Sequence, residues 1–140
     1  MHPNSHAMKR ILICVALAIL AAGCSDDKNQ EKLLLDTVIK THDKLMADDG
    51  VIMKNKMALK PFASAPATKD SVAIYTKTLS DADDAMMGWM NKFSPDFTGK
   101  SHEQIMTYLH SQKAQILKLD SQINGAVKAS NQYLTKIKTK

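Results

Sequence analysis

Residues 71–93, SVAIYTKTLSDADDAMMGWMNKF, decide the fold. Within them Val72, Tyr75, Leu79, Ala82, Met86, Trp89 and Phe93 recur at alternating intervals of three and four, and only Met90 widens the stripe. That is the spacing of a helix burying a narrow seam against other helices. The same rule continues downstream in Ile105, Leu109, Gln112, Ile116, Leu119, Ile123, Ala126, Ser130, Tyr133 and Ile137. Upstream, Leu35, Val38, Ile39, His42, Leu45, Met46, Ile52, Met53 and Met57 form a broader apolar side. The pattern predicts helices over about 28–60, 70–93 and 101–137, the last roughly 55 Å long.

The interruptions fit that division. Pro61 and Pro66 stop the first helix, and Thr68 or Asp70 is placed to cap the second. Ser94-Pro95-Asp96 ends the second, Gly99 marks a loop, and Ser101 with Gln104 three residues on is a capping-box pattern. Gly50 and Gly88 lie inside predicted helices, each costing about 1 kcal/mol relative to alanine, and Asp49-Gly50 is a candidate kink. Neither period-two alternation nor hairpin dipeptides occur between the apolar runs, so strands are not expected. Short loops make successive helices antiparallel. The expected fold is an all-α, up-down-up three-helix bundle or an elongated antiparallel helical hairpin with coiled-coil-like packing.

The amino end carries a different message. Lys9 and Arg10 precede an apolar run from Ile11 to Leu20, and Ala21-Ala22-Gly23-Cys24 looks like a bacterial lipobox. Ala21 stands where leucine is commonest, with Leu20 one place earlier. The run is about half the ~20 residues needed to span a bilayer, so it reads as a removable leader. Residues 1–23 are expected to be a signal peptide starting at Met8, residues 24–32 a lipidated tether, and 33–140 a single helical domain. Resemblance to lipoproteins implies acylation of Cys24 and, because serine and not aspartate follows it, sorting to the outer membrane. Cys24-Ser25-Asp26-Asp27 also resembles the acidic surface-export tag of Bacteroidota lipoproteins. At about 0.8 kcal/mol per buried methylene, two or three acyl chains hold a protein at a membrane for practical purposes.

Cleavage would leave 117 of 140 residues, enough for one core. No internal disulfide would remain, because Cys14 leaves with the leader and Cys24 is consumed by lipid. The leader takes two of the 19 basic residues and none of the 14 acidic ones, so the net charge falls from +5 to +3. Lysines 136, 138 and 140 suit the carboxyl end of a helix, where they oppose its dipole. Nothing like interleaved aromatic and basic residues appears, so nucleic acid is not an expected partner.

Seven of nine methionines and three of five histidines belong to the mature chain. His42 falls on the apolar side of the first helix, one turn from Met46. Met106 stands one turn from both His102 and His110. Tight antiparallel turns would pair the first and second helices where residue numbers sum to about 128, and the second and third where they sum to about 195. That register gathers His42, Met86, Met90, Met106 and His110 in one layer. Thioether with imidazole suits Cu(I), and a His/Met pair across a bundle can ligate haem iron. The plainer reading is packing: methionine fills irregular cores, sulfur over Trp89 gains about 0.3–1.5 kcal/mol, and Asp83 is placed to satisfy His42.

An enzyme is not expected. Glu31 and Glu103 are the only glutamates and stand near helix starts, while Asp81, Asp83 and Asp84 read mainly as a solvated face. There is no Cys-x-x-Cys-His, His-Glu-x-x-His or phosphate-binding glycine loop.

His42-Asp43-Lys44-Leu45-Met46, Asp83 to Met90, and Tyr108-Leu109-His110-Ser111-Gln112-Lys113 resemble a group of small Bacteroidota lipoproteins, some labelled "viral A-type inclusion protein". The resemblance runs from about Leu33 to Leu134 and implies a helical lipoprotein without catalysis. The expected role is therefore that of a lipid-anchored, non-enzymatic binding or structural protein of the outer membrane, facing the periplasm or cell surface. Its partners would be the membrane, through Cys24, and an envelope protein. The alternative is a copper or haem binder using the His/Met layer.

Overall fold

The heptads become three helices in a computed structural model, which describes residues 5–139 and the side chains of residues 26–139. The elements are α1 (Ser5–Leu59), a single 3-10 turn (Lys60–Phe62), α2 (Lys69–Met90) and α3 (His102–Lys138), with no strand among the described residues. The Met8 start and the Cys24 acylation expected above concern side chains outside the described ones. Among the described residues no helix is long and apolar enough to cross a membrane.

Successive helices are antiparallel, so α1 and α3 run the same way. In α1 the core positions are Val38, Leu45, Ile52 and Leu59, a strict seven-residue repeat, each with no exposed surface. They pack with Val72, Leu79, Ala82, Met86 and Trp89 of α2, and with Ile116, Leu119, Ile123, Ala126 and Leu134 of α3. A second cluster at the other end joins Leu34 to Ile105 and Leu109, with Phe97, Met106 and Tyr108 around it. α3 packs extensively on both partners; α1 and α2 meet along a narrower seam.

That narrow seam corrects the reading of α1. Ile39, Met46, Met53 and Met57 were expected inside, yet they are 37%, 42%, 48% and 70% exposed. Each stands one position past a core heptad site or further round the helix, and α2 does not reach over that flank. Conversely Asn55 is buried: its Nδ2 donates to Ser130 Oγ and to Asn131 Oδ1, both at 2.9 Å. Leu134 is buried in α3, while Tyr133 stacks on Tyr75 with ring centroids 4.5 Å apart.

The capping box opening α3 is complete, with Gln104 N–H donating to Ser101 Oγ and Ser101 N–H to Gln104 Oε1. The start of α2 departs from expectation. Thr68 occupies the cap position but its hydroxyl donates backwards, to the carbonyl of Phe62 at 2.7 Å, and does not accept from α2. Asp70 sits within the first turn, where its charge favours the helix dipole. α1 continues through Gly50 without a break in the helix.

Candidate functional site

The layer expected from tight turns does not assemble, and the loop between α2 and α3 explains why. Residues 91–101 do not fold straight back. Gly99, at φ +75°, adopts a backbone shape that L side chains disfavour. Phe97 packs edge-on against Tyr108, and Ser94 N–H donates to Tyr108 Oη at 2.8 Å. The loop thus lies along the first two turns of α3, and Phe93, three residues past the end of α2, already faces Tyr108. Tyr75 faces Tyr133 at the other end. Residues therefore pair at sums near 201–208, displacing α3 by about ten residues, or ~15 Å, from the expected register.

The five residues separate accordingly. Met86 is buried in the main core. Met106 packs around the second cluster with Leu34, and His110 is exposed on α3. His42 faces Trp89, with ring centroids 5.8 Å apart, where Met86 had been expected. His42 and Met90 do line one pocket, of about 240 Å³, with Ile39, Trp89 and Phe93. An imidazole and a thioether beside two stacked aromatic rings are what remains of the proposed ligand set. No group of three or more histidine, cysteine or acidic side chains suited to a metal occurs among the described residues.

Asp83 does not satisfy His42. His42 Nδ1 lies 3.2 Å from its neighbour Asp43, whereas Asp83 approaches Asp49 and stands 4.0 Å from Lys56 Nζ. Burial, followed by the negative charge and hydrogen bond of Asp83, holds the Asp49 carboxyl above its ordinary pKa, and Lys56 only partly opposes this. A raised folded-state pKa means the native protein holds that proton more tightly than the unfolded chain. Its stabilising contribution is complete at pH below the ordinary carboxylate range and is lost as pH rises through the raised value. Asp49→Asn is expected to raise the thermal midpoint at pH 7, by an amount kept small by solvent screening, with the gain vanishing below the ordinary carboxylate range. Thermal melts monitored by circular dichroism at pH 7 and below that range check this.

At the end nearest Cys24, His102 braces α3 to α1. Its Nδ1 lies 2.8 Å from Glu31 Oε1 and its Nε2 3.6 Å from Asp27 Oδ1. Glu31, read from sequence as a helix-start residue, is thus a tertiary partner. Its link to His102 is invisible to local spacing because 71 residues separate them.

No family model, curated protein or solved structure matches the chain.

A feature not legible in the sequence is a groove of about 430 Å³ between α2 and α3, lined by Ala85, Gly88, Trp89 and Lys92 on one side and Gln115, Lys118, Leu119 and Gln122 on the other. It lies within the size range of small-molecule sites, and its walls combine apolar surface with amides and ammonium groups. The sequence did contain one clue in Gly88, a glycine inside a strong helical heptad.

Proposed function

We propose that this chain is a lipid-anchored protein of the outer membrane whose helical bundle serves as a non-enzymatic binding element. The observation carrying the reading is the ordered set Lys9-Arg10, Ile11 to Leu20 and Ala21-Ala22-Gly23-Cys24, a basic, apolar and small-residue series ending on the acceptor cysteine. The first core residue, Leu34, follows only ten positions later, so the tether is short and the bundle works close to the membrane surface. Grooves lined by lysine, amide and apolar side chains suit holding a ligand.

The test is metabolic labelling of the full chain in a bacterial host with an alkyne-bearing fatty acid. Wild type is expected to incorporate label and enter the detergent phase on partition, and Cys24→Ala to lose all label. An unlabelled wild type, or label retained by Cys24→Ala, would sink the anchored reading.

A further inference from the structure

We propose that the groove between α2 and α3 is a binding site for a small organic anion bearing a ring, with the ring over Gly88 against Trp89 and the acid group between Lys92 and Lys118. The proposal rests on the binding role given above and names the ligand chemistry.

Three independent observations support it. Lys92, in the turn that follows α2, and Lys118 of α3 line the same groove, and neither has a carboxylate partner among the described residues; the ion-paired lysines are Lys44, Lys56 and Lys77. Two lysines on the walls of one concavity favour an anion there, with point-charge recognition that places little demand on angle. Gln115 and Gln122 add amides to the same walls.

Gly88, like Gly50 and Gly125, relieves no close contact within the fold, but of the three only Gly88 lines the groove. It costs an α-helix interior about 1 kcal/mol relative to alanine, and glycine in such a place usually admits a close neighbour. Here a Cβ would meet nothing within 4 Å. The missing side chain leaves the groove floor open, which suits a ring lying there.

Trp89 supplies the third observation. It is only 6% exposed, yet its buried Nε1–H has no acceptor among the described residues. That nitrogen is itself closed to solvent, so it offers no donor to the groove; Trp89 contributes ring surface to the groove wall, and its N–H reports on what packs against that ring.

Trp89 is the sole tryptophan, so the protein reports on its own site. The full chain, nitrogen-15 labelled and held in nonionic detergent micelles, gives one indole N–H resonance. It would be titrated with 2-naphthalenesulfonate and separately with 2-naphthylmethylammonium, which has the same ring and the opposite charge. The expected result is a saturable one-site shift with the sulfonate, at least tenfold tighter than with the ammonium. Lys92→Glu or Lys118→Glu should weaken it at least tenfold with the helical circular dichroism unchanged. Ile39→Gln, in the pocket on the His42 side of Trp89, should leave it intact. A shift that does not saturate, equal response to both charges, or loss in Ile39→Gln with retention in Lys118→Glu would overturn the site. A fatty-acid label present without a saturable shift removes the groove and leaves the anchor; a saturable shift without label does the reverse.

Discussion

Ile116→Ala is expected to destabilise the bundle by about 2–5 kcal/mol, the usual range for removing most of a fully buried aliphatic side chain. Ile116 has no exposed surface and packs in the main core shared by all three helices. The loss therefore combines the transfer free energy of three carbon atoms with a cavity that three helices cannot easily close. At a few degrees per kcal/mol for a domain of this size, the thermal midpoint should fall on the order of 10 °C. Leu117→Ala is the matched control. Its neighbour in sequence is 46% exposed, so the change should cost well under about 1 kcal/mol. Urea unfolding of the two variants checks both values. Similar losses at 116 and 117 would mean that α3 is rotated about its axis relative to this structure.

Asn55→Ala is expected to cost about 1–3 kcal/mol, an unusually large effect for a polar residue on a long helix. Asn55 is 3% exposed and links α1 to two successive residues of α3 through a single amide. Truncation removes both bonds and a buried volume together. Ser130 keeps one outlet, donating to the carbonyl of Val127 at 3.0 Å, so the penalty falls mainly on the lost acceptances and the void. Asn55→Leu with Ser130→Ala replaces the pair by apolar surface and should recover most of the loss or exceed wild type. Such a layer fixes alignment, because sliding α1 past α3 by one turn would strand the amide against Ala126 or Leu134. A cooperative but less sharply defined native state in the double variant, seen as broadened methyl resonances, is the expected signature. Full additivity of the two single variants would argue against coupling between Asn55 and Ser130.

Much of the architecture was legible because it is local. The α2 and α3 heptads identify the buried residues Val72, Leu79, Ala82, Met86 and Trp89, and Ile105 through Ser130. The Ser101/Gln104 box needs four consecutive residues and forms as its pattern implies. The α1 flank was harder: Ile39, Met46 and Met53 obey helical spacing as well as Val38, Leu45 and Ile52 do. Width alone cannot say which of two adjacent stripes a partner covers.

The candidate site was less legible still. Gathering His42, Met86, Met90, Met106 and His110 required a register, and register was inferred from an assumed tight turn. The actual turn is set by Tyr108 receiving the Ser94 N–H and Phe97 packing against its ring, long-range choices that no periodicity encodes. One displaced loop separated Met106 from His42 and created the groove at Gly88, Lys92 and Lys118 instead.

By itself, the sequence determined the helices, their order, their antiparallel succession and most of the core, because apolar periodicity acts over one or two turns and leaves a chain of this length few ways to bury it. Only the tertiary structure decided the axial offset of α3, the exposed methionines of α1, the Asn55–Ser130 layer and the α2–α3 groove. Those depend on how a loop packs and which flank a partner covers, and their energies come from contacts between residues far apart in the chain.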